Sequence, residues 1–149
     1  MIRKLVVAID GSEHSRKALK FGCEMVSKAE EGRIYLVHVI RRSRVPADII
    51  RYVEEENIKE SPGLVYLERV GARIMEGAVK AVDASCAQRL ETVILQGDPA
   101  EQIVKFAGDN SAEAIITGSK GLSELKATLL GSVARKICRL APCTCITVK

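Results

Sequence analysis

The sequence predicts an α/β fold, a five-stranded parallel sheet sandwiched by helices, and three observations carry that reading. Short apolar runs alternate with longer amphipathic stretches along all 149 residues, the order of repeated strand–helix–strand units. The apolar runs are continuous rather than alternating, as in Leu5-Val6-Val7-Ala8-Ile9, and such runs belong to strands covered on both faces. Glycine, proline and N-cap residues punctuate the junctions where each element should begin or stop.

Residues 5–9 form the first strand. Ser12 then offers an N-cap, and Ala18, Leu19, Gly22, Cys23 and Val26 recur at helical spacing until about Gly32. Residues 34–40 are the second strand, followed by the loop Arg41-Arg42-Ser43-Arg44 and Pro46. A short charged helix is expected from about Ala47 to Lys59, with Ser61-Pro62-Gly63 breaking it. One long helix should follow from about Leu64 to Arg89, turning Leu67, Val70, Ile74, Ala78 and Ala81 inward. Residues 92–95 are the third strand. Asp98-Pro99-Ala100-Glu101 opens the next helix, with Asp at the cap, Pro at the first position and Glu at the third. That helix turns Ile103, Val104 and Ala107 inward. Residues 114–117 form the fourth strand, a glycine-rich segment follows, and residues 133–140 form a helix stopped by Pro142. Residues 144–148 form the fifth strand. No break in composition and no internal repeat divides the chain, so residues 1–149 are read as one domain. Residues 41–63 are an excursion over the carboxyl edge of the sheet.

Composition removes several function classes. Hydrophobic residues at 47% and charged residues at 28% are ordinary for a soluble globular protein. A net charge of +4 is too small to argue for nucleic-acid binding. With no Trp and 3% aromatics, stacking platforms for single strands are also missing. No apolar run approaches the roughly 20 residues of a membrane helix, and Met1-Ile2-Arg3-Lys4 leads directly into a strand. The expectation is a cytoplasmic protein with no membrane contact. Five cysteines at irregular spacing argue against a secreted disulfide framework. Cys143 and Cys145 share one face of a strand and read as small buried hydrophobes rather than a metal or redox pair. There is no metal-ligand motif.

The chemistry concentrates near the C-terminus. Gly118, Gly121, Gly131 and Ser132 lie between a strand and a helix. Glycines at a strand exit and a helix start let backbone approach a ligand, and a helix N-terminus favours anions. Ligands of open parallel sheets bind at strand carboxyl ends, where the strand order reverses. Asp10-Gly11-Ser12, Val39-Ile40 and the glycine segment all lie at such ends. No Gly-Lys pair marks a Walker loop, and no Gly-x-Ser-x-Gly marks a hydrolase elbow. His38, inside an apolar strand, reads as a packed core residue, and His14 as solvated. Arg41, Arg42 and Arg44 read as a solvated basic loop. Lys120 is the better candidate for a mobile phosphate contact.

These residues carry a resemblance. Val6-Val7-Ala8-Ile9-Asp10-Gly11-Ser12, Val37-His38-Val39-Ile40, Gly97-Asp98-Pro99, Gly118-Ser119-Lys120-Gly121, Leu130-Gly131-Ser132-Val133 and Ala141-Pro142-Cys143 resemble the universal stress protein family, in its ATP-binding subgroup. The resemblance covers essentially the whole chain. It implies a Rossmann-like sandwich of the adenine nucleotide alpha-hydrolase type, assembled as a homodimer, that binds ATP or another adenine nucleotide with Mg²⁺ or Mn²⁺ on the phosphates. Transferred residue by residue, it places Asp10 at the adenine or ribose and the backbone of Val39 at the adenine edge. Gly118, Ser119 and Gly121 line the ribose and phosphate approach. Gly131, Ser132 and Val133 meet the triphosphate. It supplies no catalytic residue and no protein metal ligand.

Two functions fit this pattern. One is a nucleotide-dependent regulatory or signalling module in a stress response. The other is a slow ATPase or phosphotransferase using the same site. Fast phosphoryl transfer needs a positioned base or water-orienting group, and Asp10, the one clear candidate, belongs to the nucleoside end. Binding is therefore the expectation. The last strand should lie on a sheet edge and join two subunits.

Overall fold

The computed structural model describes residues 2–26, 31–41, 45–122 and 130–149. Arg42 and Arg44 lie outside them. Five strands, β1 (Lys4–Ala8), β2 (Arg33–Ile40), β3 (Leu90–Gln96), β4 (Ala114–Gly118) and β5 (Thr144–Val148), form one parallel sheet in the order β3-β2-β1-β4-β5. The helices are α1 (Glu13–Val26), α2 (Ala47–Glu55), α3 (Pro62–Tyr66), α4 (Ala72–Lys80), α5 (Ala84–Ala87), α6 (Pro99–Asp109) and α7 (Ser132–Leu140). The α/β architecture expected from the alternating pattern is the one observed.

The sheet separates two apolar layers. On one face, Ala18, Leu19 and Val26 of α1, with Met75 and Ala78 of α4, pack on Leu5, Val7, Ile34, Leu36 and Ile116. On the other, Ala100, Ile103 and Ala107 of α6 and Ile137 of α7 pack on Val6, Val37 and Ile115. Fully burying an aliphatic side chain of this size stabilises by about 1.5–3 kcal/mol. The central strands therefore hold the molecule together, which explains their uninterrupted apolar sequence. Tyr35 meets Phe106 edge to face, with ring centroids 5.4 Å apart.

Helix starts follow the caps in the sequence. Asp98 accepts from the backbone N–H of Glu101 at 3.0 Å, with Pro99 at the first helical position. Two expectations fail between residues 61 and 89. Ser61-Pro62-Gly63 begins a helix instead of only ending one, because the Ser61 hydroxyl caps the N–H of Leu64 at 3.4 Å. The single helix expected from residue 64 to 89 is instead α3, a π turn at Leu67–Gly71, α4 and, after a break, α5. The π turn inserts residues into the helical repeat and rotates the inward face. Gly71, Met75 and Ala78 are buried, whereas Leu67, Val70 and Ile74 are half-buried and Ala81 is exposed. Asp83 caps α5 through the N–H of Cys86 at 2.9 Å, which restarts the helix in a new direction.

Cys23 on α1 and Cys86 on α5 form a disulfide, with Cα atoms 5.5 Å apart. The fold, not any local spacing, brings them together across 63 residues. Cys143 and Cys145 pack against the second apolar layer. Burial raises both thiols, Cys145 to about 11, so at neutral pH neither is a reactive thiolate. Among the described residues no helix is long and apolar enough to cross a membrane.

Candidate functional site

The strand order reverses between β1 and β4: β2 and β3 lie on one side of β1, β4 and β5 on the other. A cavity of about 280 Å³ opens outside the carboxyl ends of these strands, the place where such sheets bind ligands. All eight residues singled out from the sequence, Asp10, Val39, Gly118, Ser119, Gly121, Gly131, Ser132 and Val133, line it.

Strand β1 delivers Asp10. Its Oδ1 accepts the backbone N–H of Ser12 at 2.9 Å, closing the turn in which Gly11 sits at φ +86°. That left-handed conformation suits glycine. The carboxylate thus both shapes the turn into α1 and lines the cavity. Ser12 in turn caps α1 by accepting from the N–H of Ser15 at 3.2 Å.

Strand β2 outruns β1. The last backbone bond between them joins Ile9 N–H to the carbonyl of Val37 at 2.9 Å, whereas the carbonyl of Ile40 faces β3 and accepts from Gly97. Backbone direction in a strand repeats every two residues, so the peptide groups of Val39 face the side that β1 has vacated. Among the described residues they have no ladder partner there.

Strand β4 delivers the glycine segment. A Cβ on Gly118 would lie 2.7 Å from the carbonyl carbon of His14 and 2.8 Å from the backbone nitrogen of Ser15. Gly118 therefore owes its identity to close packing against the start of α1 as well as to its place in the cavity wall. Ser119 is almost fully buried and acts as a staple. Its N–H donates to Val148 at 2.7 Å, its carbonyl accepts from Gly131 at 2.6 Å, and its hydroxyl meets His14 Nδ1 at 2.9 Å. His14, expected to be solvated, is half-buried because this long-range contact draws it inward. A Cβ on Gly121 would lie 2.9 Å from Asp10 Oδ2, so this glycine keeps space beside the carboxylate.

Helix α7 points its N-terminus at the cavity. Its N-cap, Gly131, has no side chain to cap it, and Ser132, Val133 and Ala134 of its first turn all line the wall. First-turn N–H groups lack intrahelical partners and carry the positive end of the helix dipole. Arg41 and Lys120 add positive charge to the lining, against one carboxylate, Asp10, among the described residues. Beside the cavity, the carboxyl of Asp98 is held below the usual carboxylate range, first by the N–H of Glu101 that it caps, then by Lys136 and Arg41. The wall is thus an anion-favouring end joined to an apolar end of Ala8, Ile9, Val37 and Ile40. Among the described residues no three His, Cys, Asp or Glu side chains come together to hold a metal ion.

Sequence reasoning missed part of the wall. Tyr66, Val70 and Ile74 close one side, so the excursion reaches the cavity through residues 66–74, beyond the stretch 41–63 that was expected to cross it. The unforeseen π turn sets their direction. His38 also lines the cavity, although its strand position marked it only as core.

Comparison with known proteins adds the family. The model of the universal stress protein family matches residues 1–149. Universal stress protein YxiE of Bacillus subtilis is 34% identical over 152 aligned residues, covering 100% of both chains. The solved structure of protein MJ0577 of Methanocaldococcus jannaschii superposes with a TM-score of 0.78 at 28% identity, covering 100% of this chain and 96% of that one. A universal stress protein from Archaeoglobus fulgidus in complex with dAMP shares the fold, with a TM-score of 0.63 at 22% identity over 100% of this chain and 98% of that one. Other proteins of this fold have been solved with cAMP or AMP.

Proposed function

Because the chain belongs to the universal stress protein family, we propose that its cavity binds an adenine nucleotide, ATP foremost, and that the protein is a nucleotide-dependent regulatory module in a stress response. One observation carries the reading: the eight residues named from the sequence line one cavity at the switch point, between the vacated edge of Val39 and the N-terminus of α7. Structural relatives solved with dAMP, cAMP and AMP support the choice of adenine nucleotides. The match over residues 1–149 supports treating the chain as one domain.

Each end of the cavity has its task. The peptide groups of Val39 read the edge of the base, and the apolar lining of Ala8, Ile9 and Ile40 replaces water around it. Asp10 Oδ2 accepts from the ribose. The N–H groups of Ser132, Val133 and Ala134 hold the phosphates, with Lys120 as a counter-charge. Mg²⁺ or Mn²⁺, when bound, neutralises phosphate charge and is held through phosphate oxygens. Among the described residues the lining offers no base at the phosphate end, since its one carboxylate, Asp10, also holds the turn at Ser12. The protein therefore holds nucleotide and does not turn it over rapidly. Strand β5 lies at a sheet edge, and an exposed edge recruits another strand. A homodimer formed through β5 in the cytoplasm completes the reading.

Titration calorimetry with ATP and GTP, paired with a single-turnover assay, tests this. Saturable binding of ATP in preference to GTP, without rapid turnover, is expected. Absence of adenine-nucleotide binding overturns the reading, and turnover of roughly 1–100 per second overturns its regulatory half.

A further inference from the structure

Resting on the nucleotide reading, we infer that His38 is the residue that selects the 6-amino group of the base, through a fixed acceptor lone pair on Nε2. His38 is 7% exposed, sits on β2 and lines the cavity. Its Nδ1 lies 2.7 Å from the carbonyl oxygen of Ile9. A carbonyl can only accept, so Nδ1 carries the hydrogen. In a neutral ring Nε2 is then a bare acceptor, held in that tautomer by the backbone.

The Ile9 carbonyl is available because β1 ends at Ala8 and only the N–H of Ile9 continues the ladder to β2. The same strand ending that frees the peptide groups of Val39 therefore orients the ring of His38. Among the described residues no side-chain nitrogen or oxygen is both fully buried and unpartnered, and His38 has no second protein partner among them. Nε2 accordingly keeps its small exposure through the cavity. It sits at the apolar end, opposite the phosphate-holding start of α7, where the base belongs.

A lone pair there discriminates by chemistry. The exocyclic amine of adenine donates to it, whereas the 6-oxo group of hypoxanthine or guanine sets acceptor against acceptor. A base with hydrogen at position 6 leaves Nε2 desolvated and unpaired. Failure to satisfy a buried polar group weakens binding by about tenfold or more.

The test uses the full chain labelled with ¹⁵N-histidine, which gives a simple spectrum because the sequence holds two histidines. Adenosine, purine riboside (hydrogen at position 6) and inosine are titrated by calorimetry and by nitrogen NMR. Adenosine should bind about tenfold more tightly than either analogue and shift the unprotonated Nε2 resonance of His38 upfield. Purine riboside should leave that resonance nearly unmoved. His38→Phe keeps a ring but removes the acceptor, and should bring adenosine and purine riboside to similar affinity. Adenosine binding that leaves Nε2 unmoved overturns the assignment, as does equal affinity for adenosine and purine riboside in the unmodified protein. A preference for adenosine that survives in folded His38→Phe transfers the role to the Val39 carbonyl and also overturns it. If His38→Phe does not fold, the ligand series on the unmodified protein decides alone. No binding of adenosine at all overturns the nucleotide reading itself, and this inference with it.

Discussion

Replacing Gly131 with valine should separate phosphate binding from nucleoside binding. Gly131 caps α7 at φ −66° and ψ 160°, extended backbone that any residue adopts, so a side chain introduces no backbone strain. What it adds is an isopropyl group at the mouth of the first helical turn, where Ser132, Val133 and Ala134 line the cavity. A hydrogen bond to a charged group is worth about 1.5–3 kcal/mol. Displacing a phosphate from even one of these donors should lower ATP affinity by about tenfold to a hundredfold. Adenosine, held at Val39 and Asp10, should lose much less. Ser132→Ala should cost ATP about 0.5–1.5 kcal/mol, since one hydroxyl is lost while the backbone donors remain. Calorimetric titration of ATP and adenosine, with circular dichroism to confirm folding, measures the difference. Equal losses for both ligands, or no loss in folded Gly131→Val, would refute the reasoning and leave the glycine a purely structural role.

Three further outcomes follow from the packing. Gly118→Ala forces a Cβ against the backbone of His14 and Ser15 and should destabilise the ligand-free protein by about 1–3 kcal/mol; an unchanged melting temperature would contradict this. Asp98→Ala removes the cap of α6 and should cost about 1 kcal/mol at neutral pH. Because its folded pKa is lowered, the contribution of Asp98 is full above the unfolded carboxylate value of about 3.9 and is lost as pH falls through the folded one. The gap between Asp98→Ala and the parent protein in thermal melts should therefore close under acid. Removing residues 145–149 strips most of β5 and should yield monomer or insoluble protein, and a dimer unchanged in light scattering would exclude assembly through this edge.

The inner strands β1, β2 and β4 were legible because burial on both faces demands long apolar runs, a signal that survives without neighbours. The start of α6 was legible because Asp98, Pro99 and Glu101 act locally. The π turn at Leu67–Gly71 was not, since helical periodicity carries no mark of inserted residues. The restart at Asp83 left a cap residue in view that a long amphipathic stripe concealed. For the site, Asp10, Val39 and the glycines were legible as strand-end residues. His38 was not, because its role depends on where β1 stops beside it. The same holds for His14, whose partner Ser119 lies 105 residues away, and for Tyr66, Val70 and Ile74, which reach the cavity only through the geometry of the excursion. Gly118 is legible as a point of ligand approach, whereas its contact with α1 depends on how β4 and α1 pack.

Nucleotide in the cavity between Val39 and the start of α7 has a direct signature. Titrating ATP into ¹⁵N-labelled protein and following backbone amides tests it most directly. Nucleotide in the cavity should produce saturable shifts of the amides of Val39, Gly121, Ser132, Val133 and Ala134, with those around the Cys23–Cys86 disulfide unmoved. Saturable shifts confined to the surface near Lys20, Cys86 and Arg89, or no shifts anywhere at saturating ATP, would contradict it.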